Sequence, residues 1–143
     1  MTDYILHAEP GHYNLSPILF KNTARDFFKC YLDFKPQGKH FSPVPFFLCC
    51  RAIEMALKAI HLEIKNRKYV KKLGHDLIKL YKKLDGEHQT LSKDELDLLK
   101  KANKIYVDKD FEYLSVIHPV TGFTKFPDLE ALAILARKLT DFK

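Results

Sequence analysis

The sequence predicts an all-α fold, an antiparallel bundle of about five helices with a long aromatic loop before the last helix. Two observations carry this prediction. Apolar residues recur every three or four positions over long segments, which is the helical spacing. Serine, proline and glycine signals for helix starts and stops divide these segments. With 143 residues, 46% of them apolar, the chain is expected to form a single domain over residues 1–143.

The first predicted helix follows an N-terminal stretch, residues 1–15, that is expected to be irregular. Ser16 is the expected cap and Pro17 takes the first helical position. Lys35-Pro36-Gln37-Gly38 ends the helix. Its apolar stripe comprises Leu19, Phe20, Ala24, Phe27, Phe28, Tyr31 and Leu32.

The second predicted helix is the centre of the bundle. Pro43 and Pro45 open it, and it is expected to run from about Phe46 to Lys65. Two adjacent apolar stripes cover more than half of its circumference, which is typical of a helix buried on most sides. The stripes comprise Phe46, Cys49, Ile53, Leu57, Ile60 and Ile64, and Leu48, Ala52, Met55, Ala59 and Leu62.

The central helix also carries a narrow polar stripe, formed by Arg51, Glu54, Lys58, His61 and Lys65. Glu54 and Lys58 form an i,i+4 pair in the favourable order, worth about 0.3 kcal/mol on an exposed face. The favoured interpretation is a solvated face with ion pairs. The alternative is a polar groove or a dimer seam, because a nearly buried helix has few positions left for solvent.

A basic connector, residues 65–72, leads to Gly74-His75-Asp76 and a third helix from about His75 to Leu84. Gly74 adopts a positive φ without strain, and Asp76 suits the cap or first turn. His75 at this position is interpreted as a structural hydrogen-bonding group rather than a catalyst.

The segment from Lys65 to Lys83 is strongly basic, with eight Lys or Arg residues against one acid. We expect several of these cations to be exposed together on a mobile edge. Such an edge attracts phosphates and steers polyanions. The competing interpretation is a lysine-rich face that only supports solubility.

Two further helices complete the prediction. Ser92 and Glu95 form a capping box for the fourth, with Leu96, Leu99 and Ala102 inward. The last begins at Pro127-Asp-Leu-Glu. Between them, residues 106–126 are expected to form a loop. The favoured interpretation is a flap that seals the bundle, and the alternative is a stacking wall for a base or a peptide. The pattern of residues 116–123 also fits a short hairpin, which Pro119 disfavours. The loop's aromatic residues are Tyr106, Phe111, Tyr113, Phe123 and Phe126.

These residues carry a family resemblance. Arg51-Ala-Ile-Glu54-Met-Ala-Leu-Lys58-Ala, followed by Gly74-His75-Asp76-Leu-x-x-Leu80, resembles the HEPN domain (higher eukaryotes and prokaryotes nucleotide-binding). The segments 109–113 and 126–130 are also similar to small proteins of this type. The resemblance implies a small helical bundle, often dimeric. It implies an RNase of a toxin–antitoxin or defence system, a partner of a minimal nucleotidyltransferase, or a protein without catalysis.

The RNase motif of that family is an Arg followed by four to six residues and then His. The chain has four arginines, and none has a His at that distance. Arg67 and His75 come closest, with seven residues between them. We therefore expect no RNase activity. Were the chain an RNase after all, its catalytic candidates would be Arg67, His75, Arg51 and His61.

Several function classes find no signal in the sequence. The five glycines are scattered and form no phosphate loop. Three cysteines without framework spacing, Cys30, Cys49 and Cys50, predict free thiols in a reducing cytoplasm. No Cys/His set has zinc-site spacing, no apolar run reaches the ~20 residues of a membrane span, and the N-terminus does not resemble a secretory signal. No cofactor and no metal are expected.

The predicted function is a cytoplasmic, non-catalytic, HEPN-like binding module for nucleic acid or a nucleotide-type anion, acting as a homodimer. The first alternative is a metal-independent RNase with a shifted Arg/His pair, and the second is a protein–protein interaction module. A nucleotidyltransferase or an antitoxin is the partner that the resemblance implies. The candidate binding residues are Arg51, Glu54, Lys58, His61, Lys68, Lys71, Lys72, His75, Asp76 and Tyr113.

Overall fold

A computed structural model describes residues 16–113, 120 and 122–142. These residues contain helices and no strand, which confirms the predicted all-α bundle. The irregular start expected for residues 1–15 and most of the possible hairpin near residues 116–123 lie outside the described residues. The helices are α1 (Ser16–Asp33), α2 (Val44–Ile64), α3 (Arg67–Leu73), α4 (Leu77–Lys82), α5 (Lys93–Val107), α6 (Asp110–Tyr113) and α7 (Leu129–Thr140), with a 3-10 turn at Gly86–His88.

Helix α2 is the centre of the bundle, as its two apolar stripes predict. It contacts α1 most extensively and also touches α3, α4, α5, α6 and α7. Ile53 and Leu57 in its middle have no exposed surface. Pro45 fits its first turn, where a backbone N–H would have no helical partner.

The basic connector after α2 is a helix, α3, and its prediction as a connector is wrong. The Asn66 side chain caps α3 by accepting a hydrogen bond from the Tyr69 backbone N–H at 2.9 Å. Val70 and Leu73, three positions apart, are buried. This short inward-facing pair fixes the segment against the bundle, while the neighbouring lysines remain exposed.

Helix α4 begins at Leu77, two residues later than expected, because Asp76 is its cap. The Asp76 carboxylate accepts hydrogen bonds from the backbone N–H groups of Ile78 and Lys79. Gly74 ends α3 with φ +67°, the positive φ predicted for it. Gly74 and Asp76, the two residues that predict the turn from α3 to α4, are therefore the residues that form it.

Aromatic side chains close one end of the bundle. Phe111 and Phe126 are buried against Phe46 of α2, with ring centroids 5.8 and 5.3 Å from its ring. Phe123 stacks on Phe41 at 3.8 Å. In the described part of the segment before α7, these aromatic residues thus cover the core, as expected for a flap, although α6 interrupts the segment and Tyr106 belongs to α5.

The three cysteines carry free thiols in the described residues. Cys49 and Cys50 are buried in α2, and burial raises the pKa of the Cys49 thiol to about 12. Both side chains therefore act as small apolar core residues. Across residues 16–113, 120 and 122–142, none of the helices combines the length and the apolar character needed to cross a bilayer.

The central position of α2 leads to a stability prediction. We expect Leu57→Ala to lower the free energy of unfolding by about 2–5 kcal/mol, because it opens a cavity in a fully buried site. Ile64 lies at the end of the same helix and is 59% exposed. Ile64→Ala should therefore change the free energy of unfolding by about 0.5 kcal/mol or less. Urea denaturation measures both values. Equal losses for the two variants would show that α2 is not the core helix.

Candidate functional site

Glu54, in the middle of α2, is a carboxylate with no exposed surface. Its Oε2 atom accepts hydrogen bonds from Arg51 Nη1 at 3.2 Å and Lys58 Nζ at 3.0 Å. Its Oε1 atom accepts one from the Tyr106 hydroxyl at 2.8 Å and lies 3.0 Å from His75 Nδ1. Arg51 and Lys58 reach it because they lie one helical turn before and after it. Three segments of the chain therefore meet at one buried carboxylate.

The interpretation of the polar stripe as a solvated face is wrong. Glu54, Lys58 and His61 are 0%, 8% and 5% exposed. Helices α3, α4 and α5 all contact α2, and His75 and Tyr106 reach Glu54 from the turn before α4 and from α5. Lys65, just beyond the end of α2, is the stripe residue that is exposed.

The charge of Glu54 is stabilised within the protein. Burial alone would raise the pKa of Glu54, but the Tyr106 hydroxyl and the Lys58 and Arg51 cations outweigh burial and hold it below its usual value. Burial and the neighbouring Glu54 charge raise the pKa of Tyr106. At neutral pH, Glu54 is therefore ionised and Tyr106 keeps its hydroxyl proton.

His75 combines a fixed position with an accessible ring. Its side chain is 71% exposed, although Nδ1 lies against the buried Glu54. The backbone beside it is held by Asn103 of α5, whose Oδ1 accepts from the Leu77 N–H at 2.8 Å and whose Nδ2 donates to Asp76 Oδ1 at 3.0 Å. The expected hydrogen-bonding role of His75 is thus accompanied by an open edge toward solvent.

A cleft of about 640 Å³ lies beside this network. Its lining includes cationic or proton-carrying side chains from Arg51, His75 and Lys109. Lys109 lies in the turn between α5 and α6 and has φ +59°. The arrangement offers donors, two carboxylates and aromatic surfaces to a ligand. The remaining lining residues are Phe27, Phe47, Asp76, Tyr106, Val107 and Glu112.

Other predicted site residues lie elsewhere. The His61 ring is buried, with Nε2 2.8 Å from the Leu80 carbonyl oxygen, so it is a structural contact. Arg67 donates to Ser16 Oγ at 2.5 Å at the start of α3, and the six remaining residues of α3 and then Gly74 separate it from His75 by roughly 10 Å. The Arg67–His75 pair is thus not assembled. The exposed residues Lys68, Lys71 and Lys72 lie on α3 and do not line the cleft; the Tyr113 side chain is outside the described atoms.

Asn103 is a site residue that sequence reasoning misses, and Tyr106 is predicted only as an aromatic residue of the loop, not as a partner of Glu54. They lie three positions apart on α5, beside the inward-facing Leu99 and Ala102. Polar side chains on the buried face of an amphipathic helix are a signal for a buried network. Tyr106 bonds to Glu54, 52 residues away, and Asn103 bonds to Leu77, 26 residues away. No local sequence pattern predicts contacts over such separations.

A second polar cluster has side chains of the kind that bind metal ions. Asp85, Glu87 and His88 each offer a ligand atom, all within 4.8 Å of one another. The two acids are exposed and the cluster surrounds the 3-10 turn. None of the three lines the cleft.

Comparison with known proteins adds no relative: no protein-family model, curated protein or solved structure matches the chain. The HEPN resemblance remains an expectation from the residues that carry it, of which Arg51, Glu54, Lys58 and His75 meet in space.

Glu54 leads to a pH prediction. A carboxyl group with a lowered folded-state pKa stabilises the fold above its unfolded value, about 4.3, and this stabilisation is lost as the pH falls through the folded value. We expect Glu54→Gln to cost about 3 kcal/mol at pH 7, because it leaves buried Lys58 without its counter-ion. The difference from wild type should shrink toward pH 3.

Urea denaturation between pH 3 and pH 7 measures this difference. Glu63→Gln is the control on the same helix, since its pair with Lys21 is at the surface, and it should cost under about 1 kcal/mol at pH 7. A Glu54→Gln cost that stays constant over this pH range would contradict an ionised, stabilised Glu54.

Proposed function

We propose that the chain is a HEPN-like binding module that holds a nucleic acid strand or a nucleotide-type anion in the cleft beside Arg51 and His75, without cleaving it. One observation carries the proposal. Arg51 and His75, distant in sequence, are held by the same buried carboxylate and both line one open cleft.

The cationic groups of the cleft suit a phosphate. Glu54 engages Nη1 of Arg51, whose side chain remains 28% exposed, and a guanidinium has five N–H donors in a planar fork that matches phosphate oxygens. Lys109 adds a flexible ammonium group at the same cleft. Its positive φ is a conformation that a lysine rarely adopts, and such strain is concentrated at functional sites.

The other lining residues suit the remainder of a nucleotide. Phe27, Phe47 and Tyr106 give the cleft aromatic surface, on which bases stack. Asp76 and Glu112 supply carboxylate acceptors for amino or hydroxyl groups. A ligand with a phosphate, a ring and hydrogen-bond donors uses all three kinds of group, whereas inorganic phosphate uses only the cations.

The basic surface of α3 extends this site. Lys68, Lys71 and Lys72 are exposed, and α3 ends at Leu73, two residues before His75. A strand held in the cleft has these lysines close by for its neighbouring phosphates. Clustered cations of this kind raise the local concentration and the association rate of polyanions.

We also propose that the module is a cytoplasmic homodimer, with a nucleotidyltransferase or an antitoxin as the partner class that the resemblance implies. The middle of α2 is buried within the chain, whereas Val44 and Ile64 near its two ends are 42% and 59% exposed. Support for self-association comes from α1, where Ile18, Leu19 and Leu32 are each more than half exposed.

Binding is tested by fluorescence anisotropy with a labelled single-stranded RNA over a range of salt concentrations. Arg51→Gln and His75→Gln should each weaken binding by about tenfold, the loss expected for a charge-assisted hydrogen bond. Replacing Lys68, Lys71 and Lys72 together with Gln should flatten the log–log salt slope by about 0.7 for each phosphate that is no longer neutralised.

The matched control is the triple replacement of Lys93, Lys100 and Lys101 on α5 with Gln, which removes the same charge from exposed positions. Equal effects of the two triple variants would show that only net charge matters. No binding at low salt would contradict the proposal.

The same mixtures test the second candidate, a metal-independent RNase. An exposed His75 beside Arg51 favours it, because a proton carrier next to a phosphate-binding cation is what cleavage at a 2′-hydroxyl needs. RNA that stays intact agrees with a binding module. Cleavage that Arg51→Gln and His75→Gln both abolish, but Arg67→Gln does not, would establish the RNase instead.

A further inference from the structure

We infer that Tyr106 is a positioning residue for His75: through their shared partner Glu54 it keeps the hydrogen of the neutral imidazole on Nδ1 and leaves Nε2 to face the cleft. The inference rests on the proposed function, because it assigns the His75 atom that meets the ligand. It is carried by the hydrogen bonds around Glu54.

The two oxygens of Glu54 have different partners. Oε2 accepts from the cations Arg51 and Lys58. Oε1 faces the Tyr106 hydroxyl at 2.8 Å and His75 Nδ1 at 3.0 Å. Without the Tyr106 hydroxyl, His75 is the one partner of Oε1 left among the described residues, and its side chain is 71% exposed. The carboxylate would then be free to turn toward its two cations.

The donors and acceptors fix the tautomer. An ionised carboxylate only accepts hydrogen bonds, so the group that faces it must supply the hydrogen. His75 reaches Oε1 through Nδ1, and the hydrogen bond at one ring nitrogen decides the state of the other. Nε2 of neutral His75 is therefore an acceptor for a ligand hydroxyl or amino group, and protonated His75 donates from Nε2 to a phosphate.

Helix α5 holds both the ring and the backbone of this turn. Asn103, one helical turn before Tyr106, bonds to the Leu77 N–H and to the Asp76 carboxylate. Tyr106 bonds to the carboxylate that holds the His75 ring. Two polar side chains on one face of α5 thus fix His75 in position and in tautomer.

The test is ¹⁵N NMR of ligand-free protein labelled at histidine, with the His75→Gln spectrum identifying the His75 signals. At a pH where the ring is neutral, wild type should show the Nδ1–H tautomer. Tyr106→Phe should reduce the Nδ1–H fraction and weaken binding of the labelled single-stranded RNA by about threefold to tenfold, the effect of one hydrogen bond.

Tyr81→Phe is the matched control. Tyr81 is also buried, but its hydroxyl accepts from the Leu91 N–H, so its loss should alter stability without changing the tautomer or the affinity. An Nε2–H tautomer in wild type would overturn the inference, and so would a Tyr106→Phe protein with an unchanged tautomer. Because the tautomer is read without ligand, a failure of RNA binding alone would count against the proposed function and not against the positioning role.

Discussion

Glu54 is an ionised group placed where water does not reach, and the arrangement around it follows from that constraint. A buried carboxylate is strongly destabilising unless hydrogen bonds and opposite charges compensate it. Arg51 and Lys58 come from the same helix, but His75 and Tyr106 must be brought from the turn before α4 and from α5. The packing of α4 and α5 on α2 is thereby tied to one side chain.

The same constraint produces the candidate site. Glu54 is closed off from solvent, whereas two of its partners, Arg51 and His75, extend from it to the surface of the cleft. The hydrogen-bond network around the buried Glu54 thus includes Arg51 and His75, whose exposed groups are suited to bind a phosphate. Because the buried end is fixed by several hydrogen bonds, the exposed end is held in place before a ligand arrives, which lowers the cost of binding.

The sequence predicts the parts of this fold that depend on local chemistry. The apolar stripes of α2, the Ser92–Glu95 capping box, the positive φ of Gly74 and the capping by Asp76 are all present. It does not predict which elements cover the polar stripe, because helical periodicity shows that residues share a face and not what packs on it. The Tyr106–Glu54 contact joins residues 52 positions apart. Helix α3 is not predicted because its lysines give the segment the composition of an exposed connector, and Val70 and Leu73 are its only two buried residues.

The central claim is that Tyr106 and His75 act on each other through Glu54. A double-mutant cycle measures this directly: the free energies of unfolding of wild type, Tyr106→Phe, His75→Ala and the double variant are determined by urea denaturation. Residues that share a hydrogen-bond network show coupling energies of about 0.5–3 kcal/mol, and we predict a value in that range at pH 7. Effects that add within about 0.3 kcal/mol would contradict the account.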